Sequence, residues 1–221
     1  MGKYRSVGQN QLSMNTLSID QFRAMLDTAL AAIREKADYY SQLDAVTGDG
    51  DHGTAIVAAL NAAIAASKGA SDFKTMFNDM GFGVMLNTSG STSTLMGGFF
   101  MGMADGSEGT ELDASRVKIL FQSGLEGVAK NTKAKVGDKT MMDALIPAVD
   151  AIVACNTEDV KELFVAGASA ALAGAEATIQ MKANFGRARN YGERSIGTAD
   201  AGASSWACII QSFSENLALL S

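Results

Sequence analysis

The sequence contains few of the residues that hold metals or covalent crosslinks through nitrogen and sulfur. It has two cysteines, Cys155 and Cys208, and a single histidine, His52, with neither cysteine near it in sequence. Two thiols are too few for a disulfide scaffold, and a lone histidine disfavours a zinc site. We interpret both cysteines as buried thiols in a reducing cytoplasm.

Positive charge is also scarce. The chain has 18 lysines and arginines against 24 aspartates and glutamates, which gives a formal net charge of -6. Proteins that bind nucleic acid present clustered Lys and Arg to the phosphate backbone, so this balance argues against a nucleic-acid partner. Any phosphate that the protein binds therefore needs a local device, such as a metal ion.

Long apolar runs are missing as well. The N-terminal segment, residues 1–16, is polar and lacks the apolar core of a signal peptide. The most lipid-like stretch, residues 163–175, is shorter than the roughly 18 to 20 residues that a membrane span needs. We therefore expect a cytoplasmic protein that does not associate with membranes.

No run of alternating apolar and polar residues indicates a half-buried strand, whereas helical periodicity extends along the chain. The sequence therefore predicts an all-α fold. The first helix begins at a capping box formed by Ser18 and Gln21, and apolar residues such as Phe22 and Leu26 follow at helical spacing. Eight helices are predicted, over residues 18–43, 54–68, 73–87, 92–104, 114–131, 139–154, 158–182 and 203–219.

Proline occurs once, at Pro147, and no linker separates two regions of different composition. We predict a single domain over residues 17–221, preceded by a flexible extension over residues 1–16. Glycines concentrate in polar segments between the predicted helices. In an up-and-down bundle, alternate connections emerge at the same end, so several of these segments can converge there. The segments are GDGDHG (48–53), SGSTS (89–93), KVGDK (135–139) and GRARNYGERSIGTADAG (186–202).

An acidic loop is the most informative of these segments. Asp44, Asp49 and Asp51 fall within eight positions of LDAVTGDGDHGTA. Carboxylates this close repel one another unless a cation lies among them, and oxygen-only ligands suit magnesium, calcium or manganese. The glycines let the backbone fold tightly, and the helix that follows near Thr54 offers free amides to a phosphate.

Other interpretations of this loop fit less well. In a calcium-binding EF-hand counted from Asp49, the position that needs a bidentate glutamate is Leu60. Gly48 and Gly53 have the glycine spacing of a P-loop, but the required lysine is missing. A solvated acidic loop that caps a helix is the remaining alternative. Three carboxylates, three glycines and His52 in one loop favour the metal site.

The other polar segments are less specific. Ser91 and Thr92 belong to a segment that reads as an ordinary helix cap, although its hydroxyls and amides could also hold an anion. Three arginines in the last glycine-rich segment, Arg187 among them, are suited to clamping a phosphate. Met141 lies beside a polar segment and is a candidate for the wall of an adenine pocket.

Together, four segments resemble, in order and spacing, the motifs of the dihydroxyacetone kinase L-subunit family. They are LDAVTGDGDHG, SGSTSTLMGGFF, KAKVGDKTMMDALIP and GRARNYGERSIGTADAG, and the resemblance covers about residues 18–219. It implies a barrel of eight antiparallel helices with ADP or ATP at one rim. It also implies that Asp44, Asp49 and Asp51 bind two magnesium ions that bridge the nucleotide phosphates. The other positions that it implies around the nucleotide are His52, Gly53, Thr54, Ala55, Ser91, Thr92, Thr132, Met141, Arg187, Asp200, Ala201 and Gly202.

The sequence departs from the family pattern at a few of these positions. Ser89 and Ser93 replace glycines of the second motif, and Thr132 stands where glycine is usual. In the last motif, Thr198 and Ala201 stand where histidine and proline are common. These departures bear on how the nucleotide is retained and on the choice of substrate.

The resemblance implies the phosphoryl-donor half of a small-ketose kinase. A separate K-type subunit, which binds the ketose through a histidine, would complete the enzyme, so the isolated chain is expected to be inactive. Two pairs of alternatives stay open: fixed ADP recharged by a phosphotransferase-system phosphoprotein or exchangeable ATP, and dihydroxyacetone or a four-carbon ketose. The alternative function is a nucleotide-loaded regulatory module that binds a transcription factor or another partner. We also expect a homodimer.

Overall fold

The computed structural model describes residues 13–220, and helices account for most of them. Nine α-helices, two 3-10 segments and two short strands occur within this range. The α-helices are α1 (Ile19–Glu35), α2 (Ala37–Ala45), α3 (His52–Ser67), α4 (Phe73–Asn87), α5 (Gly90–Asp105), α6 (Ala114–Ala129), α7 (Met142–Ala154), α8 (Val160–Ala177) and α9 (Ala201–Ala218). The 3-10 segments are Thr178–Gln180 and Arg187–Ser195, and the strands are β1 (Thr16–Ser18) and β2 (Glu111–Asp113).

The predicted all-α class is confirmed, with one difference in the count of helices. The first predicted helix divides at Lys36 into α1 and α2. Hydrophobic periodicity does not detect a break of one residue, because the apolar positions continue across it. The predicted capping box is present: the Ser18 amide donates to Gln21 Oε1 at 2.8 Å, and the Gln21 amide donates to Ser18 Oγ.

The two strands were not predicted. They pair antiparallel with Leu17 opposite Leu112, and both leucines are fully buried. Strands of three residues are too short to show an alternating pattern, which explains why the sequence did not indicate them.

The start of the described chain is tied to the bundle. The Met14 amide donates to Asp159 Oδ1 at 3.1 Å, and the Met14 carbonyl accepts from the Val160 amide at 2.9 Å. Residues 13–16 therefore contact the bundle, although they were predicted to be part of a flexible extension. Residues 1–12 lie outside the described range, and their predicted flexibility stays a prediction.

The eight long helices form a closed ring. Each of α1 and α3–α9 packs against the next in chain order, and α9 returns to pack against α1. Short connections make neighbouring helices of such a bundle antiparallel. The interior of the ring contains aromatic side chains in edge-to-face contact, such as Phe22 against Phe77 at 5.0 Å and Phe99 against Trp206 at 5.0 Å. These contacts make a continuous hydrophobic core.

Helix α8 is both long and apolar. With the 3-10 turn that follows, it forms a stretch, Val160–Gln180, long and apolar enough to cross a membrane by length and composition. This stretch is longer than the apolar segment that the sequence indicated, residues 163–175. Leu163 and Phe164 are nevertheless fully buried where α8 packs against α7 and α9. Its apolar face is therefore used inside the bundle, as in the core helix of a globular protein.

Candidate functional site

Four alternate connections meet at one end of the ring, as the sequence predicted for the polar segments. They are the α2–α3, α4–α5, α6–α7 and α8–α9 connections, and residues at each of them line a cavity of 460 Å³. This volume is within the range of small-molecule sites. The predicted site residues that line the cavity are Asp44, His52, Ser91, Thr92, Thr132, Met141, Arg187, Asp200, Ala201 and Gly202.

The acidic cluster lies at the edge of this cavity. One carboxylate oxygen from each of Asp44, Asp49 and Asp51 lies within 4.8 Å of the others. The amides of Gly50 and Asp51 donate to Asp44 Oδ2 at 2.8 and 3.2 Å, which fixes the orientation of that carboxylate. Gly50 has a φ of +76°, a conformation that favours glycine. The loop therefore folds so that the three carboxylates lie close enough together to bind one cation.

The three carboxylates differ in their electrostatic environment. Desolvation, then a hydrogen bond with Asp49, and then the negative charges of Asp49 and Asp44 raise the pKa of Asp51 above its usual value, although the positive charge of Arg187 acts in the opposite direction. The pKa of Asp49 is instead far below its usual range, because the Arg187 guanidinium donates to both of its oxygens. The charged form of Asp51 is therefore disfavoured beside the other two carboxylates, and a bound cation would favour it.

Arg187 reaches this cluster from the α8–α9 connection. Its Nη2 donates to Asp49 Oδ1 at 2.7 Å, and its Nη1 donates to Asp49 Oδ2. Both side chains are more than half exposed, and exposed ion pairs of this kind are weak. Arg187, which was predicted to clamp a phosphate, and Asp49, which was predicted to bind metal, thus form an ion pair although they are 138 residues apart in sequence.

His52 connects three helices beside the cavity. Its Nε2 lies 2.8 Å from Ser205 Oγ, and its Nδ1 lies 3.5 Å from Thr92 Oγ1. Since Ser205 Oγ donates to the Gly202 carbonyl, the Nε2–H of His52 donates to Ser205 and its Nδ1 is an acceptor. Desolvation lowers the pKa of His52, which agrees with a neutral ring.

Apart from Asp49 and Asp51 of the acidic cluster, three predicted site residues do not line the cavity: Gly53, Thr54 and Ala55. The Gly53 amide donates to Ser41 Oγ at 3.1 Å, and a Cβ at this position would lie 2.7 Å from that oxygen. Thr54 Oγ1 and the Ala55 amide both donate to the Asp51 carbonyl, at 2.7 and 2.9 Å. These groups hold the beginning of α3 against α2 and the acidic loop.

Sequence reasoning missed several residues that line the cavity. Trp206, the only tryptophan of the chain, is buried in the cavity wall, and Phe185 borders the opening. Nothing in the local sequence marks either residue, because each reads as an ordinary apolar position. Lys139 is buried in the wall and was not assigned to the site.

Asp200 has a structural role in addition to its place in the wall. Its Oδ2 accepts from the Ala203 amide at 2.8 Å, so this side chain caps the N-terminus of α9. Desolvation of the carboxyl group raises its pKa to about 6, even though this capping bond and the nearby Lys139 ammonium act in the opposite direction.

Known proteins with the same sequence pattern identify the family. The DAK2 domain model matches residues 46–215. The ADP-binding subunit DhaL of PEP-dependent dihydroxyacetone kinase 2 from Listeria innocua is 34% identical over 215 residues, which cover 92% of this chain and 98% of that protein. The chain belongs to the dihydroxyacetone kinase L-subunit family. The resemblance inferred from the four motifs is therefore confirmed.

Longer proteins contain a similar unit. L-erythrulose 1-kinase of Mycolicibacterium smegmatis is 30% identical over 205 residues, which cover 88% of this chain and 35% of that protein. The solved dihydroxyacetone kinase of C. freundii in complex with AMP-PNP and Mg2+ superposes with a TM-score of 0.70 at 23% identity. The match covers 97% of this chain and 37% of that one, and at this identity it shows the fold alone.

Proposed function

We propose that the chain is the nucleotide-binding subunit of a dihydroxyacetone-type kinase, with residues 17–221 acting as one domain. It would hold ADP or ATP through two magnesium ions on Asp44, Asp49 and Asp51. A separate K-type subunit would hold the ketose that receives the phosphoryl group. The observation that carries this proposal is the convergence of three carboxylate oxygens within 4.8 Å at the edge of a 460 Å³ cavity.

The acidic cluster has the chemistry that magnesium requires. All of its donors are carboxylate oxygens, and the loop amides orient one carboxylate, that of Asp44, in advance. A cation would also favour the charged form of Asp51, which desolvation and the neighbouring aspartates disfavour. When bound, magnesium neutralises the polyphosphate charge that develops during phosphoryl transfer. Asp49 would exchange its ion pair with Arg187 for the metal, which frees the guanidinium for a phosphate.

The cavity wall contains both polar and apolar side chains. Ser91 and Thr92 stand at the beginning of α5, whose capping residue Ser89 makes no side-chain bond to the helix amides. Free amides at a helix N-terminus favour phosphate, so we place the phosphates there, beside the acidic loop. The apolar lining residues include Met141 and Trp206, and we propose that the adenine contacts them.

The remaining predicted contacts are assigned by position in the cavity. Thr132, Asp200, Ala201 and Gly202 line the wall and are proposed to contact the nucleotide. For Gly53, Thr54 and Ala55 we propose support of the acidic loop instead, because they donate hydrogen bonds to Ser41 and Asp51.

A single charge removal tests the metal site. Asp51→Asn keeps the shape of the side chain but removes one carboxylate, and Asp27→Asn on the exposed side of α1 is the matched control. At magnesium and ADP concentrations near 100 times Kd, ligand binding stabilises a protein by about 2.7 kcal/mol. For a chain of this size, this corresponds to a rise in melting temperature of about 5–10 °C.

We expect this rise in the unmutated protein and in Asp27→Asn, and its loss in Asp51→Asn. Without ligand, Asp51→Asn should melt no lower than the unmutated protein, because the substitution relieves a repulsion. Fluorescence of Trp206 provides an independent titration, since this single tryptophan borders the cavity. A magnesium-dependent rise that survives in Asp51→Asn would contradict the proposed site.

The partner is tested by reconstitution. The relative from Listeria innocua is named an ADP-binding subunit of a PEP-dependent kinase. We therefore propose that ADP stays bound and is recharged by a phosphotransferase-system phosphoprotein, with dihydroxyacetone as the acceptor. Identifying the nucleotide that is released when the purified protein is denatured tests whether ADP stays bound. Comparing the phosphorylation of dihydroxyacetone with that of erythrulose tests which ketose is the acceptor. Ketose phosphorylation by the chain alone would refute the need for a K-type subunit.

A further inference from the structure

Lys139 is a buried lysine in the connection between α6 and α7. Its side chain lines the cavity, and the residue is only 4% exposed. Its φ of +58° makes it the one residue other than glycine, among residues 13–220, that adopts a left-handed backbone. A lysine in this conformation is strained, and the strain persists only where surrounding contacts compensate for it.

Those contacts come from both ends of the α8–α9 connection. The Lys139 ammonium donates to the carbonyl of Thr178, at the end of α8, and to the carbonyl of Thr198 at 2.6 Å. Thr178 and Thr198 are 20 positions apart in sequence, so one side chain closes the base of the loop between them. We call residues 179–197 the rim loop. Two bonds beside the ammonium complete the closure: the Gly197 amide donates to the Ile179 carbonyl, and the Asp200 amide donates to Thr178 Oγ1.

The backbone that carries Lys139 is itself held in place. Asp143 is 1% exposed, and its two oxygens accept from the Gly137 amide at 2.6 Å and the Thr140 amide at 2.8 Å. These amides flank Lys139 on both sides. The Asp143 carboxylate therefore fixes the turn from which the ammonium projects, and the negative charges of Asp143 and Asp200 lie near it.

The rim loop supplies two groups at the mouth of the cavity. Phe185 borders the opening, and Arg187 pairs with Asp49 of the acidic loop. Between its ends, the rim loop is also tied to the α6–α7 connection through Asn184, whose amide and side-chain Nδ2 donate to the carbonyls of Asp138 and Gly137, both at 3.2 Å. The position of Arg187 therefore depends on the α6–α7 connection, through Asn184 in the loop and through Lys139 at its base.

We propose that Lys139 is a positioning residue, whose buried ammonium closes the base of the rim loop and thereby sets where Arg187 stands over the acidic loop. The part of this inference that concerns ligand affinity rests on the proposed nucleotide function. The part that concerns loop closure does not, and the two are measured separately.

Trypsin measures loop closure in the protein without ligand. Lys182, Arg187, Arg189 and Arg194 are cleavage sites within the rim loop, and all are exposed. Lys139→Met keeps the length of the side chain but removes both hydrogen bonds. Cleavage in the rim loop should accelerate about tenfold or more, because a charge-assisted hydrogen bond contributes at least that factor to the closed form. Lys135→Met, on the exposed face of the same connection, is the control and should be cleaved at the unmutated rate.

Further measurements separate positioning from general stability. Affinity for magnesium and ADP should fall about tenfold in Lys139→Met and recover in part in Lys139→Arg, which keeps N–H donors for the two carbonyls.

Hydrogen exchange of the unmutated protein should show protected amides at Gly197 and Asp200, and this measurement applies even where Lys139→Met does not fold. Unprotected amides, or cleavage of Lys139→Met at the rate of Lys135→Met, would overturn the proposal. If the unmutated protein binds no nucleotide, the proposed function fails while the loop measurements still decide the role of Lys139.

Discussion

Replacement of Gly53 by alanine tests why a glycine is present at this position. Its contacts indicate that a side chain would collide with α2, whereas the alternative is that only a bound phosphate needs the space. An alanine Cβ would lie 2.7 Å from both Ser41 Oγ and the carbonyl carbon of Ala37, and nearer still to the Ala37 carbonyl oxygen. Ordinary van der Waals contact begins at 3.4 Å. The obstructing atoms include backbone of α2, so the two helices must separate to admit the methyl group.

The size of the effect follows from this overlap. Overpacking a well-filled site costs about 1–3 kcal/mol, and an obstacle made of backbone places Gly53→Ala toward the upper end. In a chain of this length, the expected fall in melting temperature is about 4–10 °C. Asp44 lies on α2 and His52 begins α3, so separation of these helices also widens the acidic cluster. The stabilisation by magnesium and ADP should therefore shrink as well.

Thermal unfolding with and without magnesium and ADP measures both effects. Gly69→Ala is the control, because its Cβ would meet no atom within 4 Å and its φ is not positive. This control should be neutral or slightly stabilising, since it reduces the freedom of the unfolded chain. If Gly53→Ala melts like the unmutated protein, the packing argument is wrong. If it loses ligand binding at unchanged stability, the phosphate contact predicted from the sequence is the better account.

Two further predictions concern charged residues of the site. Arg187→Ala frees Asp49 from an exposed ion pair, so manganese alone should bind a few-fold more tightly by titration calorimetry, while metal-dependent ADP binding weakens. For Asp200, burial raises the native pKa to about 6 from its usual 3.8, so the native state keeps a proton that the unfolded state has lost. This residue therefore lowers the free energy of unfolding as the pH rises from about 4 to about 6. Asp200→Asn can still cap α9 and does not ionise, so above pH 6 it should melt higher than the unmutated protein, with a difference that vanishes near pH 4.

The features that the sequence could predict are those encoded within a few neighbouring residues. The acidic loop was recognised because its carboxylates are separated by a few positions, and the structure brings an oxygen from each within 4.8 Å of the others. The capping box at Ser18 and the periodic apolar faces are likewise local patterns. The convergence of four connections followed from the up-and-down arrangement, which depends only on helix order.

The features that were missed depend on contacts between distant segments. Lys139 reads as an ordinary turn residue, and its burial arises only when α8 and the rim loop close over it. The break at Lys36 leaves the apolar period unchanged, so it became visible only in the structure. The family resemblance implied that Gly53 lies along the phosphates. Residue type alone shows only that glycine permits a close approach, and not that the approaching group is the backbone of α2.

The pairing of Arg187 with Asp49 couples the two ligands of the proposed site. Each oxygen of Asp49 accepts from the guanidinium, so a metal at the proposed site would compete with Arg187 for these oxygens. A displaced Arg187 would lie at the mouth of the cavity, beside the proposed phosphate position. Metal then favours nucleotide, and by linkage nucleotide must favour metal by the same factor. Arg187→Ala should reduce both the effect of metal on nucleotide affinity and the effect of nucleotide on metal affinity. A substitution that merely weakened the binding of nucleotide would lower its affinity equally with and without metal, so the ratio of these two affinities would not change. The coupling factor, rather than either affinity, therefore reports whether the arginine moves between the carboxylate and the phosphate.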